Sequence, residues 1–385
     1  MPTLPTPSNE AFAQSVELAH IIQAKIKAAS GWIDFAQFMH MALYTPHLGY
    51  YSGGSKKFGK EGDFITAPEI TALFGQTLAI QVEQVLSQLA NAEIIELGAG
   101  TGKLAGDLLL ALDKLEKLPH RYYILEVSNH LRQIQQETLQ KQLAPQLMQK
   151  IVWLDALPES FTGVVLANEV LDAIPVHLVS ATAKGLHERG ITLQSDEFVW
   201  QDKPLVNNGL IDLTIDYPLP QDYLTEFCPA ANGLIASLTS TLKQGAIIIM
   251  DYGFSAAEYY HPQRNQGTLM CHYQHYAHSN PLIYIGLQDI TAHVNFTAIA
   301  QAALDNGSQV AGFTTQAQFL INCGITDLLN QVPAEDMAKY LPLVSAVQKL
   351  ISPTEMGDLF KVIALTKELP SPLLGFMQGD KRHTL

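Results

Sequence analysis

The residue cluster most suggestive of chemistry is a glycine-rich turn, Glu96-Leu97-Gly98-Ala99-Gly100-Thr101-Gly102. It follows a short apolar run and precedes a helical pattern over residues 104–112. Glycines at a strand-to-helix turn let the backbone bend sharply and let a ligand approach the main chain closely. The turn therefore indicates a nucleotide-like cofactor, with a plain glycine-rich turn as the alternative.

The spacing of these glycines disfavours two common cofactor classes. A dinucleotide-binding turn needs a glycine where this chain has Lys103. A triphosphate-binding loop needs a hydroxyl residue after Gly-Lys, where this chain has Leu104. The remaining G-x-G-x-G pattern between a strand and a helix is typical of class I methyltransferases, which use S-adenosylmethionine.

Polar residues follow the next predicted strands. Glu126 closes the second strand, where a carboxylate can accept hydrogen bonds from both hydroxyls of a ribose. Asp155 follows the third strand, the usual position of a group near the adenine amine. Asn168 and Glu169 end the fourth. Because ligands bind at the carboxyl ends of parallel strands, we expect Asn168 and Glu169 to lie near the reactive methyl group.

Short apolar runs that alternate with helical patterns must position these residues. They predict a parallel α/β sheet with crossover helices. The predicted strands are residues 93–97, 122–127, 151–154, 164–167 and 246–251, with a final strand at 359–365. Helical patterns cover 15–43, 74–89 and 296–306, the last ended by Gly307, and residues 44–65 are expected to form a loop or lid.

Two segments interrupt the alternation. Residues 176–200 alternate with period two around turns expected at 188–190 and 195–197, which predicts an inserted antiparallel meander. Residues 259–294, rich in His, Tyr, Pro and Asn, are interpreted as a second insertion. We expect a helical N-terminal cap and lid over 1–75, begun by a loose ten-residue tail, and a core over 76–385 with insertions at about 176–205 and 259–295.

Composition and charge disfavour some classes of partner, metal site and cellular compartment. With 23 Lys+Arg and 37 Asp+Glu the net charge is −14, which disfavours nucleic acid. Cys228, Cys271 and Cys323 form no CxxC pair, so neither disulfides nor a zinc site is expected. His272, His275 and His278 have no companion cysteine or carboxylate cluster, and we expect no metal. We find no secretory signal or membrane span and expect a cytoplasmic protein.

Several motifs together resemble the MidA-type methyltransferase family, whose mitochondrial members assist assembly of respiratory complex I. The matching stretches are Ala42-Leu43-Tyr44, Leu48-Gly49-Tyr50-Tyr51, Gly62-Asp63-Phe64-Ile65-Thr66-Ala67-Pro68-Glu69-Ile70, the glycine turn, Glu126-Val127-Ser128, Ala167-Asn168-Glu169-Val170-Leu171-Asp172-Ala173-Ile174-Pro175, Asp251-Tyr252-Gly253, Asp289-Ile290-Thr291-Ala292-His293-Val294-Asn295-Phe296 and Glu355-Met356-Gly357. This chain has Ala67, Gln274 and Asn295 where the family commonly has Ser, Arg and Asp, which leaves the choice of substrate open.

The resemblance implies an α/β class I methyltransferase (Rossmann-like) fold with a helical N-terminal cap and inserted β and irregular segments. It implies S-adenosyl-L-methionine as cofactor, S-adenosyl-L-homocysteine as product and a protein partner that carries an acceptor arginine. A homodimer stays open, and a processed eukaryotic member would occupy the mitochondrial matrix. The expected cofactor contacts are Thr66, Pro68, Glu69, Gly98, Ala99, Gly100, Thr101, Gly102, Glu126, Val127, Asp155, Ala156, Asn168 and Glu169.

Arginine is a poor nucleophile because its guanidinium stays protonated, so its site needs carboxylates. Glu169 and Asp172, three residues apart, supply such a pair if a helical turn begins after the fourth strand; alternatively Asp172 caps a helix. His293 is a base, a substrate clamp or a structural residue. For Tyr50, Tyr51 and Phe64 two interpretations stay open: they cover the cofactor or close the lid, or they pack in the core.

Three functions remain at this point. The first is a methyltransferase that acts on a protein arginine, with a small-molecule acceptor as a variant. The second is an NAD-type oxidoreductase, which is disfavoured because Lys103 stands where a dinucleotide-binding turn needs a glycine. The third is a non-catalytic assembly factor that binds the cofactor and uses its acidic surface to recruit a basic partner.

Overall fold

The computed structural model describes residues 4–53, 66–333, 335–370 and 372–385. Gly62, Asp63, Phe64 and Ile65 of the predicted lid lie outside the described residues. In chain order the α-helices are α1 (Asn9–Ala28), α2 (Phe35–Tyr44), α3 (Ala67–Ile70), α4 (Ala72–Leu86), α5 (Lys103–Lys114), α6 (Asn129–Gln142), α7 (Pro145–Met148), α8 (Asn208–Asp216), α9 (Pro229–Thr241), α10 (Ala256–Tyr259), α11 (Phe296–Asp305), α12 (Gln316–Asn322), α13 (Ile325–Asn330) and α14 (Met337–Ile351).

The β-strands are distributed along the whole chain. In order they are β1 (Ile33–Asp34), β2 (Glu93–Leu97), β3 (Tyr122–Leu125), β4 (Ile151–Leu154), β5 (Phe161–Asn168), β6 (His177–Thr182), β7 (Gly185–Gln194), β8 (Glu197–Pro204), β9 (Tyr223–Phe227), β10 (Leu242–Phe254), β11 (Met270–Tyr273), β12 (Tyr276–His278), β13 (Asp289–Thr291), β14 (Val294–Asn295), β15 (Gln309–Thr315) and β16 (Phe360–Lys367). Two short 3-10 helices, Leu374–Phe376 and Arg382–Thr384, follow.

The chain folds into two compact units, each built from three segments. Unit 1 comprises Met1–Phe64, Asp172–Gly233 and Ala256–His293. Unit 2 comprises Ile65–Leu171, Leu234–Ser255 and Val294–Leu385. The N-terminal helices and the greater part of both segments interpreted as insertions therefore belong to one unit.

Unit 2 contains an eight-stranded sheet in the order β15-β16-β10-β5-β2-β3-β4, with β14 beside β10. The strands from β10 to β4 run parallel, whereas β16 runs antiparallel to both β10 and β15. Ile94 and Ile95 are both buried although they point to opposite faces, because helices cover both sides of a parallel sheet. This is the class I methyltransferase fold, so the predicted fold class is confirmed.

Helices of unit 2 bury their apolar sides against this sheet. Phe74 and Leu78 of α4 and Leu104 and Leu108 of α5 join one core with strand residues such as Ile94. Their three- and four-residue spacing is the pattern expected of an amphipathic helix packed on one side. The core thereby fixes α5, and with it the turn that leads from β2 into α5.

Unit 1 contains two antiparallel sheets. The larger has the order β1-β7-β6-β9 with β8 on β7, and the smaller has the order β12-β11-β13. Leu18 of α1, Phe38 of α2, Ile191 of β7 and Ile290 of β13 share one buried core. The second insertion thus contains a small sheet as well as irregular chain.

The structure corrects one predicted turn of the meander. Residues 188–190 lie inside β7, and the reversals fall at 183–184 and 195–196. Ser195 and Asp196 have φ of 51° and 62°, the left-handed backbone of a two-residue hairpin turn. Gly190 instead allows β7 to lie close to β1, since a Cβ at this position would stand 2.2 Å from the Ile33 carbonyl oxygen.

The N-terminal tail is also shorter than predicted. Helix α1 already begins at Asn9, because the Ser8 hydroxyl accepts a hydrogen bond from the Ala11 N–H (3.2 Å) and caps the helix. The helix predicted up to Gly307 is confirmed, with α11 ending at Asp305. Within the described residues, no helix has both the length and the apolar character that crossing a membrane requires.

We expect Gly190→Ala to lower the free energy of unfolding by about 2 kcal/mol or more, since the new methyl group forces β1 away from β7. Gly233→Ala in α9 is the matched control, because a Cβ there meets no atom within 4 Å. Alanine should leave the control unchanged or raise its stability by up to about 1 kcal/mol. Urea unfolding followed by circular dichroism checks both variants, and equal midpoints would contradict the close approach.

Candidate functional site

The glycine turn joins β2 to α5 with a left-handed backbone at every second residue. The φ values are 57° at Gly98, 52° at Gly100 and 85° at Gly102, and α5 begins at the next residue. Side chains disfavour this conformation, so the backbone itself explains the G-x-G-x-G spacing. A Cβ on Gly100 would meet no atom within 4 Å, which means that the main chain there borders open space.

The carboxylate at the end of β3 is held by donors on two sides. Glu126 is only 4 % exposed; its Oε1 accepts from the Ser128 N–H (2.9 Å) and its Oε2 from Gln135 Nε2 (3.0 Å). Burial raises the pKa of Glu126, and these hydrogen bonds act in the opposite direction because they stabilise the charged form. The donors therefore fix the orientation of the Glu126 carboxylate and oppose the effect of burial on its pKa.

Gln135 is a site residue that the sequence reasoning missed. Its Nε2 also donates to the Gly100 carbonyl (3.1 Å), and its Oε1 accepts from Trp153 Nε1 (2.9 Å). The side chain is fully buried, so one amide links the glycine turn, Glu126 and β4. The available signal was its position between Leu131 and Leu139, where the apolar face of α6 carries a glutamine.

Three residues predicted to contact the cofactor lie at the surface, just after β3 and β4. Val127 is 80 % exposed, an apolar side chain beside Glu126 that a purine ring can cover. Asp155 is 92 % exposed and forms an ion pair with Arg132 (2.8 Å), and Ala156 is exposed. Arg132 also donates to the Glu126 carbonyl (2.7 Å), which ties the ends of the two strands together.

The described part of the predicted lid contacts the glycine turn. Helix α3 follows Thr66 and has Pro68 buried in its first turn. The Thr101 hydroxyl donates to Glu69 Oε1, and the Ala67 N–H donates to Glu169 Oε1 (3.2 Å). The structure thus brings Glu69 and Thr101 together and sets α3 against the end of β5.

The end of β5 carries two polar side chains on an unusual backbone. Glu169 has φ of 54°, a left-handed conformation that a non-glycine residue adopts only under constraint. Asn168 Nδ2 donates to Glu169 Oε1 (3.1 Å). Asn168 Oδ1 is buried and has no hydrogen-bond partner in the described part of the chain, so it is an acceptor suited to a ligand donor.

The helical turn expected after β5 is wrong, and so is the alternative that Asp172 caps a helix, since no residue from 169 to 175 is helical. The left-handed backbone of Glu169 prevents a helix from starting there. The buried carboxylate of Asp251 then accepts from the N–H groups of Val170 (3.2 Å) and Leu171 (2.9 Å), which holds the chain in its turn.

Unit 1 contains the other two residues predicted to be catalytic. The Asp172 carbonyl accepts from the Ala292 N–H (3.0 Å), and the Asp172 side chain is buried. The next residue, His293, donates its backbone N–H to the Thr268 hydroxyl (3.0 Å). These bonds bring the segments of Asp172 and His293 together within unit 1.

Histidines and carboxylates that could hold a metal meet at one place in the described residues. Asp34, His177 and Glu188 each offer one donor atom within 4.8 Å of the others. These groups have structural partners already: His177 Nδ1 lies 2.7 Å from Glu188 Oε1, and Asp34 caps α2. The triplet His272, His275 and His278 forms no such group among the described residues.

A second buried carboxyl group lies in β2 beside the glycine turn. The Tyr122 hydroxyl donates to Glu96 Oε2 (2.7 Å). Burial raises the pKa of Glu96 to about 7, with the Tyr122 hydrogen bond opposing and the charge of Glu126 adding to the shift. In the sequence, Glu96 stood out only as part of the glycine-rich turn motif.

A family model of S-adenosyl-L-methionine-dependent methyltransferases, Methyltransf_28, matches residues 77–314. The crystal structure of a Burkholderia thailandensis protein bound to S-adenosyl-homocysteine is 47% identical, with a TM-score of 0.96 over 100% of both chains. The mitochondrial protein arginine methyltransferase NDUFAF7 of Homo sapiens is 29% identical over 90% of this chain and 82% of its own length. Its Drosophila melanogaster homolog is 28% identical over 94% and 87%.

These matches confirm S-adenosyl-L-methionine as the cofactor, and the residues present fit it. The Glu126 carboxylate suits a ribose, the exposed Val127 suits a purine, and the buried acceptor Asn168 Oδ1 suits an N–H donor such as an ammonium group. The open space at Gly100 lets such a molecule reach the main chain.

We expect Gln135→Ala to weaken S-adenosyl-L-methionine binding at least tenfold and to lower the unfolding free energy by about 1–3 kcal/mol, because the Gly100 carbonyl and Glu126 lose their shared donor. The exposed neighbour Gln136→Ala is the matched control and should behave as wild type. Calorimetric titration and urea unfolding measure the two effects. Wild-type affinity in Gln135→Ala would show that the link does not shape the site.

We expect Glu96 to make stability fall as pH rises from about 4.5 to about 7. In this window the folded state keeps a proton that the unfolded state has lost, so the stabilisation present at low pH disappears, by about 3 kcal/mol in total. Glu96→Gln should remove this slope and make the variant more stable than wild type at pH 8. Urea unfolding across the range, with the exposed Glu137→Gln as control, checks it; parallel curves for wild type and Glu96→Gln would contradict it.

Proposed function

This chain belongs to the Methyltransf_28 family of S-adenosyl-L-methionine-dependent methyltransferases, and from that premise we propose that it methylates an arginine side chain of a protein substrate. The observation that carries the proposal is the Glu169 carboxylate, which directly follows β5 in the same unit as the glycine turn and Glu126. Relatives named protein arginine methyltransferases, 28–29% identical to this chain, support the choice of acceptor.

A carboxylate at this place suits a guanidinium acceptor. The Ala67 N–H and Asn168 Nδ2 both donate to Glu169 Oε1, which fixes the direction of the carboxylate. A guanidinium offers parallel N–H donors that match a fixed carboxylate in a forked pair. The constrained backbone of Glu169 is consistent with a geometry kept for binding rather than for stability.

The chemistry asks the protein mainly to orient the acceptor and to exclude water. S-adenosyl-L-methionine, when bound, supplies a methyl group on a positively charged sulfur. Glu169 accepts hydrogen bonds from the guanidinium and holds one nitrogen in line with that methyl carbon. As the bond between this nitrogen and the methyl carbon forms, the C–S bond breaks and the electron pair of the C–S bond stays on the sulfur. The nitrogen gives up a proton, which Glu169 accepts.

We extend the proposal to residues of unit 1 and to the cellular setting. Asp172 and His293 stay predicted catalytic residues: Asp172 as a support for the acceptor or the cofactor, and His293 as a base or a substrate clamp. The net charge of −14 favours a basic protein partner over nucleic acid. We propose a cytoplasmic location, or the mitochondrial matrix in a eukaryotic cell; the named relatives are mitochondrial.

We expect Glu169→Gln to abolish methyl transfer while the affinity for S-adenosyl-L-methionine stays within a few-fold, because the amide can no longer accept a proton or pair with a cation. Glu159→Gln, an exposed carboxylate in the preceding loop, is the control. Labelled methyl transfer in a cell extract, followed by mass spectrometry, should place the label on arginine. Label on another residue type, or wild-type turnover in Glu169→Gln, would overturn the assignment.

A further inference from the structure

A buried carboxylate of β10 binds the backbone that follows β5. Asp251 is fully buried, and its Oδ2 accepts hydrogen bonds from the N–H groups of Val170 (3.2 Å) and Leu171 (2.9 Å). The N–H group of Glu169 donates to the carbonyl of Met250 (2.9 Å), the residue before Asp251. Two adjacent residues of β10 therefore bind three consecutive N–H groups, and all five residues belong to unit 2.

These bonds account for the left-handed backbone of Glu169. Its φ of 54° is unfavourable for a residue with a side chain, so other contacts must offset the cost. An extended chain points successive N–H groups to opposite sides, whereas the N–H groups of Val170 and Leu171 reach one carboxylate oxygen. Hydrogen bonds to a charged acceptor are roughly twice as strong as those between neutral groups. Asp251 thus favours the turn at Glu169 over a continuation of β5.

The glycine turn depends less on Asp251 than Glu169 does. A Cβ built on Gly98 would stand 3.2 Å from Val170 Cγ2, so Val170 lies against the first glycine of the turn. The turn nevertheless has its own attachment to β3, because the Gly98 N–H donates to the Leu125 carbonyl (3.0 Å). Loss of the Asp251 charge should therefore displace Glu169 and leave the cofactor-binding turn in place.

We propose that Asp251 is a positioning residue for methyl transfer, which holds the Glu169 carboxylate where it meets the acceptor. This inference rests on the proposed function, since it needs Glu169 to act on the acceptor. Misplacement of an orienting group by about 1 Å can slow a reaction about 100-fold. Removal of the Asp251 charge should therefore lower the rate of transfer far more than the affinity for the cofactor.

Asp251→Asn tests the rate directly in the full chain. The amide keeps the volume of the side chain but leaves one acceptor oxygen for three donors, since the Tyr252 N–H also bonds to Asp251 (2.9 Å). At saturating S-adenosyl-L-methionine we expect the initial rate of labelled methyl transfer into a cell extract to fall by about 30-fold or more. Calorimetry should show an affinity for S-adenosyl-L-homocysteine within about three-fold of wild type.

Asp380→Asn is the matched control. One oxygen of Asp380 also accepts from two main-chain N–H groups, those of Phe313 (3.2 Å) and Arg382 (3.0 Å). Phe313 belongs to β15, at the other edge of the sheet from β4. This variant should lose some stability but transfer methyl groups at the wild-type rate.

A double variant separates positioning from a general loss of structure. The chain saturated with S-adenosyl-L-homocysteine is titrated with Nα-acetyl-L-arginine amide, and binding is followed by NMR. We expect Asp251→Asn and Glu169→Gln each to weaken binding of this probe by about tenfold, and the double variant to bind it no more weakly than Glu169→Gln alone. If Asp251 acted only on stability, the two effects would multiply.

A wild-type transfer rate in Asp251→Asn, or effects that multiply in the double variant, would overturn the inference. If Asp251→Asn does not fold, hydrogen exchange in the wild-type chain decides. The amides of Val170 and Leu171 should then exchange at least about 100-fold more slowly than in an unfolded chain, and unprotected amides would contradict the inference. The proposed function fails on other results, namely label on a residue type other than arginine or wild-type turnover in Glu169→Gln. An inactive Glu169→Gln beside a fully active Asp251→Asn defeats the inference alone.

Discussion

The left-handed backbone at the end of β2 is the constraint on which the cofactor site depends. Three alternate glycines turn the chain from a buried strand into α5 within five residues, and this leaves the Gly100 carbonyl where Gln135 can donate to it. The same amide donates to Glu126, so the position of the turn affects the carboxylate that follows β3. A looser turn would therefore move the Glu126 carboxylate as well as the main chain.

Backbone and amide N–H groups orient several acidic side chains at this end of the sheet. Glu126, Glu169 and Asp251 each accept from donors of this kind within unit 2. Unit 1 repeats the arrangement at buried Glu226, which accepts from the N–H groups of Thr268 and Leu269. Fixed dipoles of this kind stabilise the negative charge of these carboxylates.

How far the sequence could predict this molecule depended on the range of the interactions concerned. Apolar runs, the glycine turn and the last strand are local signals, and the sheet followed from them. The helix expected after β5 failed because Asp251, about 80 residues later, takes the N–H groups of Val170 and Leu171. Gln135 was missed because its partners lie on three other segments. The turn predicted at 188–190 was wrong because the glycine at 190 allows β7 to approach β1 closely and does not form a turn.

The position of β16 has a consequence for synthesis of the chain on the ribosome. This strand is built from residues 360–367, yet it lies between β10 and β15 inside the sheet. Until it emerges, the apolar β10 residues Ile247, Ile248 and Ile249 have an open hydrogen-bonding edge, the kind of edge that pairs with other chains. The nascent protein thus carries an aggregation-prone edge for more than a hundred residues of translation, and a chaperone that binds extended apolar segments has its clearest target there.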